Sequence, residues 1–359
     1  IISPGQGTQR VSMITYLLKN FSSTVSPLLE LLDHTIYESD RAFPPTGTTT
    51  ASISPRPGLS TLICSGPAPL LTATENAQPA ILFTSLCFLS VLEKDFGLDL
   101  RKASTRSNLY FLGHSLGEFS ALVAAGIMSL PDAITLVRRR GITMTRSVPE
   151  EERGDVGMYA IISPAGHLPG LISTINNFIA SPPPCSIPPG KIVRIANHNT
   201  SSQIVISGHI SAITALLDHL RKFSGNDPRA LKLNVSAPFH SPLMAPAVDI
   251  LKEELAKVKF DWKGRRGDVV GNVTASVYES EGELREMLPR QAVEEVRWAE
   301  SVQYLEKEKG VCRWVGFGPE VKVGRGLVRK DIHVESEVIM VGEGMEGKEL
   351  EEVVELIGG

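Results

Sequence analysis

Leu109-Tyr110-Phe111-Leu112-Gly113-His114-Ser115-Leu116-Gly117-Glu118-Phe119-Ser120-Ala121-Leu122-Val123-Ala124-Ala125 begins as an apolar run of strand type and ends as an Ala- and Leu-rich helix. Between them sits Gly113-x-Ser115-x-Gly117, the pattern of a nucleophile elbow. A serine on a sharp strand-to-helix turn projects its hydroxyl above the sheet edge, and the flanking glycines let the two backbones approach. The new helix aims its N-terminal N–H groups and positive dipole end at the place where an oxyanion would form. The plain alternative is a glycine-rich connection carrying an ordinary serine, since this five-residue pattern is common by chance. The strand before it and the helix after it favour the nucleophile.

The chain has 359 residues, a length that suggests about two domains. Apolar residues make up 42%, enough for a large core. Lys and Arg number 36 against 40 Asp and Glu, a net charge of −4. That balance implies no polyanion-binding surface, and no nucleic-acid partner is expected. Cys64, Cys87, Cys185 and Cys312 are scattered without a C-x-x-C pair. This argues against a metal site or a disulfide framework, and for a reducing compartment. No apolar run reaches the roughly 18 residues of a membrane helix, so no membrane partner is expected. Because the chain opens at Ile1, a targeting peptide is expected upstream or already removed.

Ile1-Ile2-Ser3 reads as a short strand entering Pro4-Gly5-Gln6-Gly7-Thr8-Gln9. A glycine-bracketed loop directly after a strand is where α/β proteins place ligand contacts. Residues 41 to 72, rich in Pro, Ser, Thr and Gly, read as a partly disordered loop or insertion. Asn76-Ala77-Gln78-Pro79-Ala80 opens a helix with Pro79 near its first turn. Ser129-Leu130-Pro131-Asp132 starts another with a capping-box pattern. On that helix Ala133, Val137, Arg140 and Met144 share one face. Arg140 thus lies in an apolar stripe, while Arg138 and Arg139 point elsewhere. A charge on a buried face has a partner. Spacing leaves two readings of Arg140 open: a ligand-binding cation, or a structural ion pair or snorkelling stem.

From Gly154 the predicted order is a strand at 158–162, a helix at 168–179, strands at 193–196 and 204–207, a helix at 210–223 and a strand at 231–235. That β-α-β-β-α-β order is ferredoxin-like. The expected fold class is α/β: a large α/β-hydrolase-like domain with a mostly parallel sheet, residues 1–153 and 236–359, carrying an inserted small ferredoxin-like subdomain, residues 154–235. The Pro-rich piece 181–189 reads as a surface loop of the subdomain. Beyond it the sequence predicts a helix to about Val258, a strand at Val269-Val270, helical segments flanking Gln291 and Trp298, and a last strand near Trp314. The acidic run Glu343 to Glu355 reads as a solvated helix face.

A serine hydroxyl needs a base to become a useful nucleophile. Of eight histidines, His240 is best placed, in a strand-to-helix loop stiffened by Pro238 and Pro242. His114 adjoins the serine, but neighbouring side chains on such a turn diverge. His34, His198 and His209 have less support. No acid has an obvious place as third member; a backbone carbonyl could orient the imidazole instead.

These motifs together resemble the malonyl-CoA:acyl-carrier-protein transacylases, the acyltransferase family of fatty-acid and polyketide synthesis. The likeness runs from Pro4 to about Leu327 through Gly5-Gln6-Gly7-Thr8-Gln9, Gly113-His114-Ser115-Leu116-Gly117-Glu118, Arg140-Gly141 with Met144, Ala196-Asn197-His198-Asn199, Pro238-Phe239-His240-Ser241-Pro242, Asn272-Val273-Thr274-Ala275, Gln291 and Gly318-Pro319. The resemblance implies that Ser115 is acylated and His240 is its base. It implies that the Gln291 carbonyl orients His240, and that the Gln6 and Leu116 amides form the oxyanion hole. It also implies that Arg140 holds the malonyl carboxylate, beside Met144, Asn199, Phe239 and His114 in the substrate site. Phe239 resembles the malonyl-selecting form, whose ring excludes an α-methyl branch. The family pattern has glycine where this chain has Ser12 and Glu320.

The function so implied is transfer of malonyl from malonyl-CoA to the phosphopantetheine thiol of acyl carrier protein through a malonyl-serine. Both thioesters are substrates; no bound cofactor or metal is expected. A serine esterase or thioesterase on the same elbow is the alternative, and an acyltransferase domain cut from a polyketide synthase is another. A carrier-docking subunit without activity conflicts with the intact Ser115, His240, Gln6 and Arg140. The low-complexity insertions look fungal, and with the missing initiator they suggest a processed protein of the mitochondrial matrix, with the cytoplasm as the alternative. The chain is expected to act as a monomer.

Overall fold

In the computed structural model, which describes residues 1–45, 58–184, 186–223, 228–342, 345 and 347–358, the elbow strand belongs to a five-stranded sheet. The described strands are β1 (Ile2–Ser3), β2 (Tyr110–Gly113), β3 (Val156–Ile162), β4 (Val193–Thr200), β5 (Gln203–His209), β6 (Arg229–Lys232), β7 (Asp268–Val270), β8 (Arg313–Phe317) and β9 (Glu337–Val341). The large sheet has the order β7-β2-β1-β8-β9, and its pairings are parallel. Parallel strands are joined by crossovers that cover both faces, so consecutive residues of these strands are buried rather than alternating. Phe111 and Leu112 on β2 are buried, as are Trp314, Val315 and Phe317 on β8.

β1 sits between β2 and β8, with the register Ile2 to Leu112 and Ser3 to Gly113. Strand order reverses here, so the loops leaving β1 and β2 open a crevice at their carboxyl ends, where ligands bind in such sheets. Those loops carry Gly5-Gln6 and His114-Ser115.

The second sheet is antiparallel, β4-β5-β3-β6, with helices Leu168–Ala180 and Ile210–Phe223 on one face. Strand alternation explains its two roles. Ile161, Ile204 and Ile206 pack on those helices. Met158, Ala160 and Val205 turn the other way, into the main core. The strand order and connections are those of a ferredoxin-like unit, as the element order predicts.

Four local expectations change. Residues 41–72 are not simply loop: helices Leu59–Ser65 and Ala68–Thr72 form there, because Leu59, Leu62, Ile63 and Leu71 bury against the core. Residues 46–57 of that segment lie outside the described residues, as does Cys185 of the Pro-rich loop. The helix read from Asn76 starts at Thr74 and runs to Lys94, which leaves Pro79 inside it. Proline cannot donate to the carbonyl four residues back; here Nη1 of Arg138 donates to the Glu75 carbonyl at 2.8 Å instead. The strand read at 231–235 runs from Arg229 to Lys232. The strand at Trp314 is not the last, since β9 follows and pairs with it.

At the first departure from the family pattern the backbone keeps a glycine-type conformation; at the second the new residue has a role of its own. Ser12 holds φ at +70°, the region glycine favours. Glu320 caps the helix Val321–Arg329 by accepting from the Lys322 amide at 3.1 Å. Near the end, helix Gly347–Gly358 buries Leu350, Val353 and Ile357 and exposes Glu351, Glu352 and Glu355; residues 343, 344 and 346 of the acidic run lie outside the described residues.

Candidate active site

The elbow is sterically determined. A Cβ on Gly113 would lie 1.9 Å from the Gly117 carbonyl, and one on Gly117 would lie 2.3 Å from the Ser3 carbonyl oxygen. Only glycine at both positions lets helix Gly117–Ala124 start directly over β1 and β2. Ser115 itself has φ +53°, a left-handed backbone that throws its side chain out of the turn. Asn272, in the loop after β7, braces this conformation: its Oδ1 accepts from the Ser115 amide at 2.6 Å and its Nδ2 donates to the Gly113 carbonyl at 2.7 Å.

Ser115 Oγ lies 2.8 Å from Nε2 of His240. The other ring nitrogen, Nδ1, lies 2.7 Å from the Gln291 carbonyl oxygen and 3.2 Å from that of Glu294. Two carbonyls can only accept, so the proton sits on Nδ1 and Nε2 presents a lone pair to the serine. The geometry is that of a serine–histidine pair with backbone carbonyls in the third position. Burial, then the nearby Arg140 and His114, push the His240 pKa down to about 3, against the two carbonyls. The imidazole is therefore neutral at physiological pH.

Among the described residues, the amides of Gln6 and Leu116 engage no protein acceptor. They flank the serine from the β1 loop and the helix start. Gln6 is tethered by its side chain: Nε2 donates to Thr74 Oγ1 at 3.2 Å, and Oε1 accepts from Gln78 at 3.4 Å. A cavity of about 230 Å³ opens on this centre, with Gln6, His114, Ser115, Asn199, Phe239 and His240 in its wall. Asn199 reaches across from the small sheet; its Oδ1 lies 2.9 Å from His114 Nε2. Burial lowers the His114 pKa, opposed by the hydrogen bond with Asn199.

Arg140 and Met144 are not in that wall. Met144 is fully buried against Gln78, whose Nε2 lies 3.6 Å from its sulfur. Arg140 is 2% exposed, with its guanidinium 5.9 Å from the centre of the Phe119 ring. Its Nη2 donates to Gln291 Oε1 at 3.1 Å, and its Nε has no partner. No carboxylate lies within ion-pair distance among the described residues. Burial lowers its pKa to about 10, opposed by Glu118. This buried cation sits one side chain behind the base, with spare donors.

Sequence reasoning assigned no role to Asn272, Tyr278 and Glu294, nor to Glu118 inside the elbow motif. Asn272 and Glu118 had a signal, being polar residues in the loop after a core strand and in an apolar helix. Glu294 acts through its backbone, which leaves no mark in residue type.

The parallel sheet, the elbow and the serine–histidine pair define a serine acyltransferase site. Residues 2–165 match the family described as acyl transferase domain. A malonyl CoA-acyl carrier protein transacylase of Bacillus subtilis (strain 168) is 40% identical over 272 residues, covering 76% of this chain and 77% of that protein. The crystal structure of an acyl-carrier-protein-S-malonyltransferase from Bartonella henselae superposes with a TM-score of 0.79 at 30% identity, over 100% of this chain and 98% of that one. A malonyl-transacylase solved in complex with a type II PKS acyl-carrier protein gives 0.76 at 29% identity, over 99% and 98%. The chain belongs to the malonyl CoA-acyl carrier protein transacylase family.

Proposed function

We propose that the chain moves a malonyl group from malonyl-CoA to the phosphopantetheine thiol of an acyl carrier protein by double displacement. His240 Nε2 takes the Ser115 proton as Oγ attacks the thioester carbonyl. The oxyanion is met by the Gln6 and Leu116 amides. Collapse breaks the C–S bond, and the departing CoA sulfur takes the proton from His240. The carrier thiol then gives its proton to His240 and attacks malonyl-Ser115; the C–Oγ bond breaks, Oγ takes the proton back from His240, and malonyl-carrier leaves.

The observation that carries this reading is the buried Arg140 guanidinium, joined to the Ser115–His240 pair through Gln291 and without a paired carboxylate among the described residues. Such a cation suits a free carboxylate and can bind it through two parallel hydrogen bonds. A general esterase needs no cation in its acyl site. Phe239 in the cavity wall is the residue we assign to excluding an α-branch. The relatives' names and the carrier complex support the donor and the acceptor.

The experiment is intact-protein mass spectrometry after mixing with malonyl-CoA, then with a phosphopantetheinylated carrier protein. A malonyl adduct on Ser115 that the carrier removes is the expected result. Equal steady-state CoA release with and without carrier would instead identify a thioesterase.

A further inference from the structure

Gly5-Gln6-Gly7-Thr8-Gln9 is the loop that carries the Gln6 amide, and the mechanism above uses none of its side chains. The groups on either side of that amide are tied. The Gly5 carbonyl oxygen accepts from Thr8 Oγ1 at 3.0 Å, and the Gly7 amide donates to Gln9 Oε1 at 2.9 Å. Among the described residues no main-chain amide bonds to the Gly5 oxygen, so the Thr8 hydroxyl holds it. Thr8 is 6% exposed and stands in the wall of the same cavity as Ser115.

This bond matters because of what lies across the peptide plane. The Gly5 carbonyl and the Gln6 N–H belong to one planar trans unit and point in opposite directions. Whatever fixes the carbonyl therefore fixes the amide. The plane can turn by a paired rotation of ψ at Gly5 and φ at Gln6 that leaves both Cα atoms in place. Glycine permits that rotation, and no other residue fits here, since a Cβ on Gly5 would lie 2.8 Å from the His114 carbonyl oxygen. The bonds of the Gln6 side chain to Thr74 and Gln78 anchor that side chain but leave the plane free to turn. Closing a turn is the ordinary role of a threonine hydroxyl three residues after a carbonyl. Here the carbonyl it holds is the back of the amide assigned to the oxyanion.

We propose that Thr8 is a positioning residue of the oxyanion hole: its hydroxyl pins the Gly5–Gln6 peptide so that the Gln6 N–H, and not the Gly5 oxygen, faces the developing oxyanion. The proposal rests on the reading of the Gln6 and Leu116 amides as the oxyanion donors. Turned over, the peptide would set oxygen lone pairs against a negative charge and leave Leu116 as the sole donor. Both half-reactions pass through an oxyanion on the same acyl carbon, once with CoA as the leaving group and once with the carrier thiol as the attacker. Thr8 acts through Gln6 alone, so its loss should slow both to the same extent.

The test compares wild type, Thr8→Val and Thr8→Ser in single turnovers of each half-reaction: acylation of Ser115 by malonyl-CoA, and transfer from the malonyl-enzyme to a phosphopantetheinylated carrier protein. Valine keeps the shape and removes the donor; serine keeps the donor. Deleting an oxyanion donor lowers the rate about 10²- to 10³-fold, and a plane set free to turn should lose less, roughly 10- to 100-fold at saturation in both half-reactions. The half-saturating concentrations of malonyl-CoA and carrier should stay within about twofold, the mark of an interaction made only in the transition state. Thr8→Ser should restore both rates. Thr8→Ala, which removes the hydroxyl without adding a branch, gives the same reading if valine disturbs the loop. Wild-type rates in Thr8→Val and Thr8→Ala, the same loss in Thr8→Ser, a loss confined to one half-reaction, or a loss carried by weaker binding overturns the proposal. A wild type that forms no malonyl-Ser115 overturns the reading of the site itself.

Discussion

Arg138 and Arg140 stand two residues apart on one helix, both buried, and meet opposite surroundings. Arg138 grips Asp40 with two hydrogen bonds, at 2.8 and 2.7 Å, and also satisfies the Glu75 carbonyl that Pro79 cannot. Arg140 meets a neutral amide and keeps donors free. The first is a closed ion pair; the second is a buried cation without a paired carboxylate among the described residues.

The two arginines should therefore fail differently. Arg138→Ala strips the half-buried Asp40 and the Glu75 carbonyl of their partner, at about 1–3 kcal/mol of stability for each polar group left unmet. Thermal denaturation will show it, with acyl preference unchanged in whatever protein remains folded. Arg140→Ala should lower kcat/KM for malonyl-CoA by roughly 30- to 5,000-fold, the equivalent of about 2–5 kcal/mol for one member of a buried charge pair. Acetyl transfer should hold or rise. Equal losses for both donors would make Arg140 structural.

Ser115→Ala should abolish covalent labelling by malonyl-CoA while the fold persists. His240→Ala should cut turnover on the order of 10⁴- to 10⁶-fold, as in other serine–histidine pairs. Mass spectrometry reads the first and steady-state kinetics the second. Labelling of another serine in Ser115→Ala would move the nucleophile elsewhere.

The His240 base should stay competent in mild acid. Its pKa is depressed by burial and by the Arg140 charge. A lowered pKa keeps the imidazole neutral as pH falls through the ordinary histidine value of about 6.5. Acylation rates should thus show no half-loss near pH 6.5. In Arg140→Ala, measured with acetyl-CoA, the acid limb should move up, because one cause of the depression has gone. Stopped-flow acylation between pH 4.5 and 8 checks both. A wild-type inflection near 6.5 would contradict the buried, cation-flanked histidine.

Asn272→Ala should injure both the elbow and the rate. It strips the partner from the Ser115 amide and from the Gly113 carbonyl together, at about 1–3 kcal/mol for each polar group left unmet. Asn272→Asp keeps the acceptor but sets an oxygen against the Gly113 carbonyl, so it should not rescue. Chemical denaturation with acylation kinetics on the same protein measures both effects. Full activity in Asn272→Asp would show that the brace is dispensable.

What the chain announces locally, it announces well. Gly113 and Gly117 mark the elbow because two backbones approach too closely there for any Cβ, a constraint written in residue type. The alternation of Met158 to Ile162 and Ile204 to Ser207 marks the small sheet because one face meets its own helices and the other the main core. Ser129 marks a helix start through its own hydroxyl, which accepts from the Asp132 amide at 3.2 Å. Tertiary contact decided the rest. Leu59 to Leu71 became helical only because a core stood ready to bury their apolar side chains. Pro79 sits within a helix because Arg138, far along the chain, replaces its missing hydrogen bond. The third member behind His240 is a pair of main-chain carbonyls, and every residue type carries the same carbonyl. Arg138 and Arg140 are the same residue in one helix. The distant Asp40 neutralises the first, while Gln291 offers the second only a neutral amide, because the charge that neutralises a buried cation comes from the fold around it.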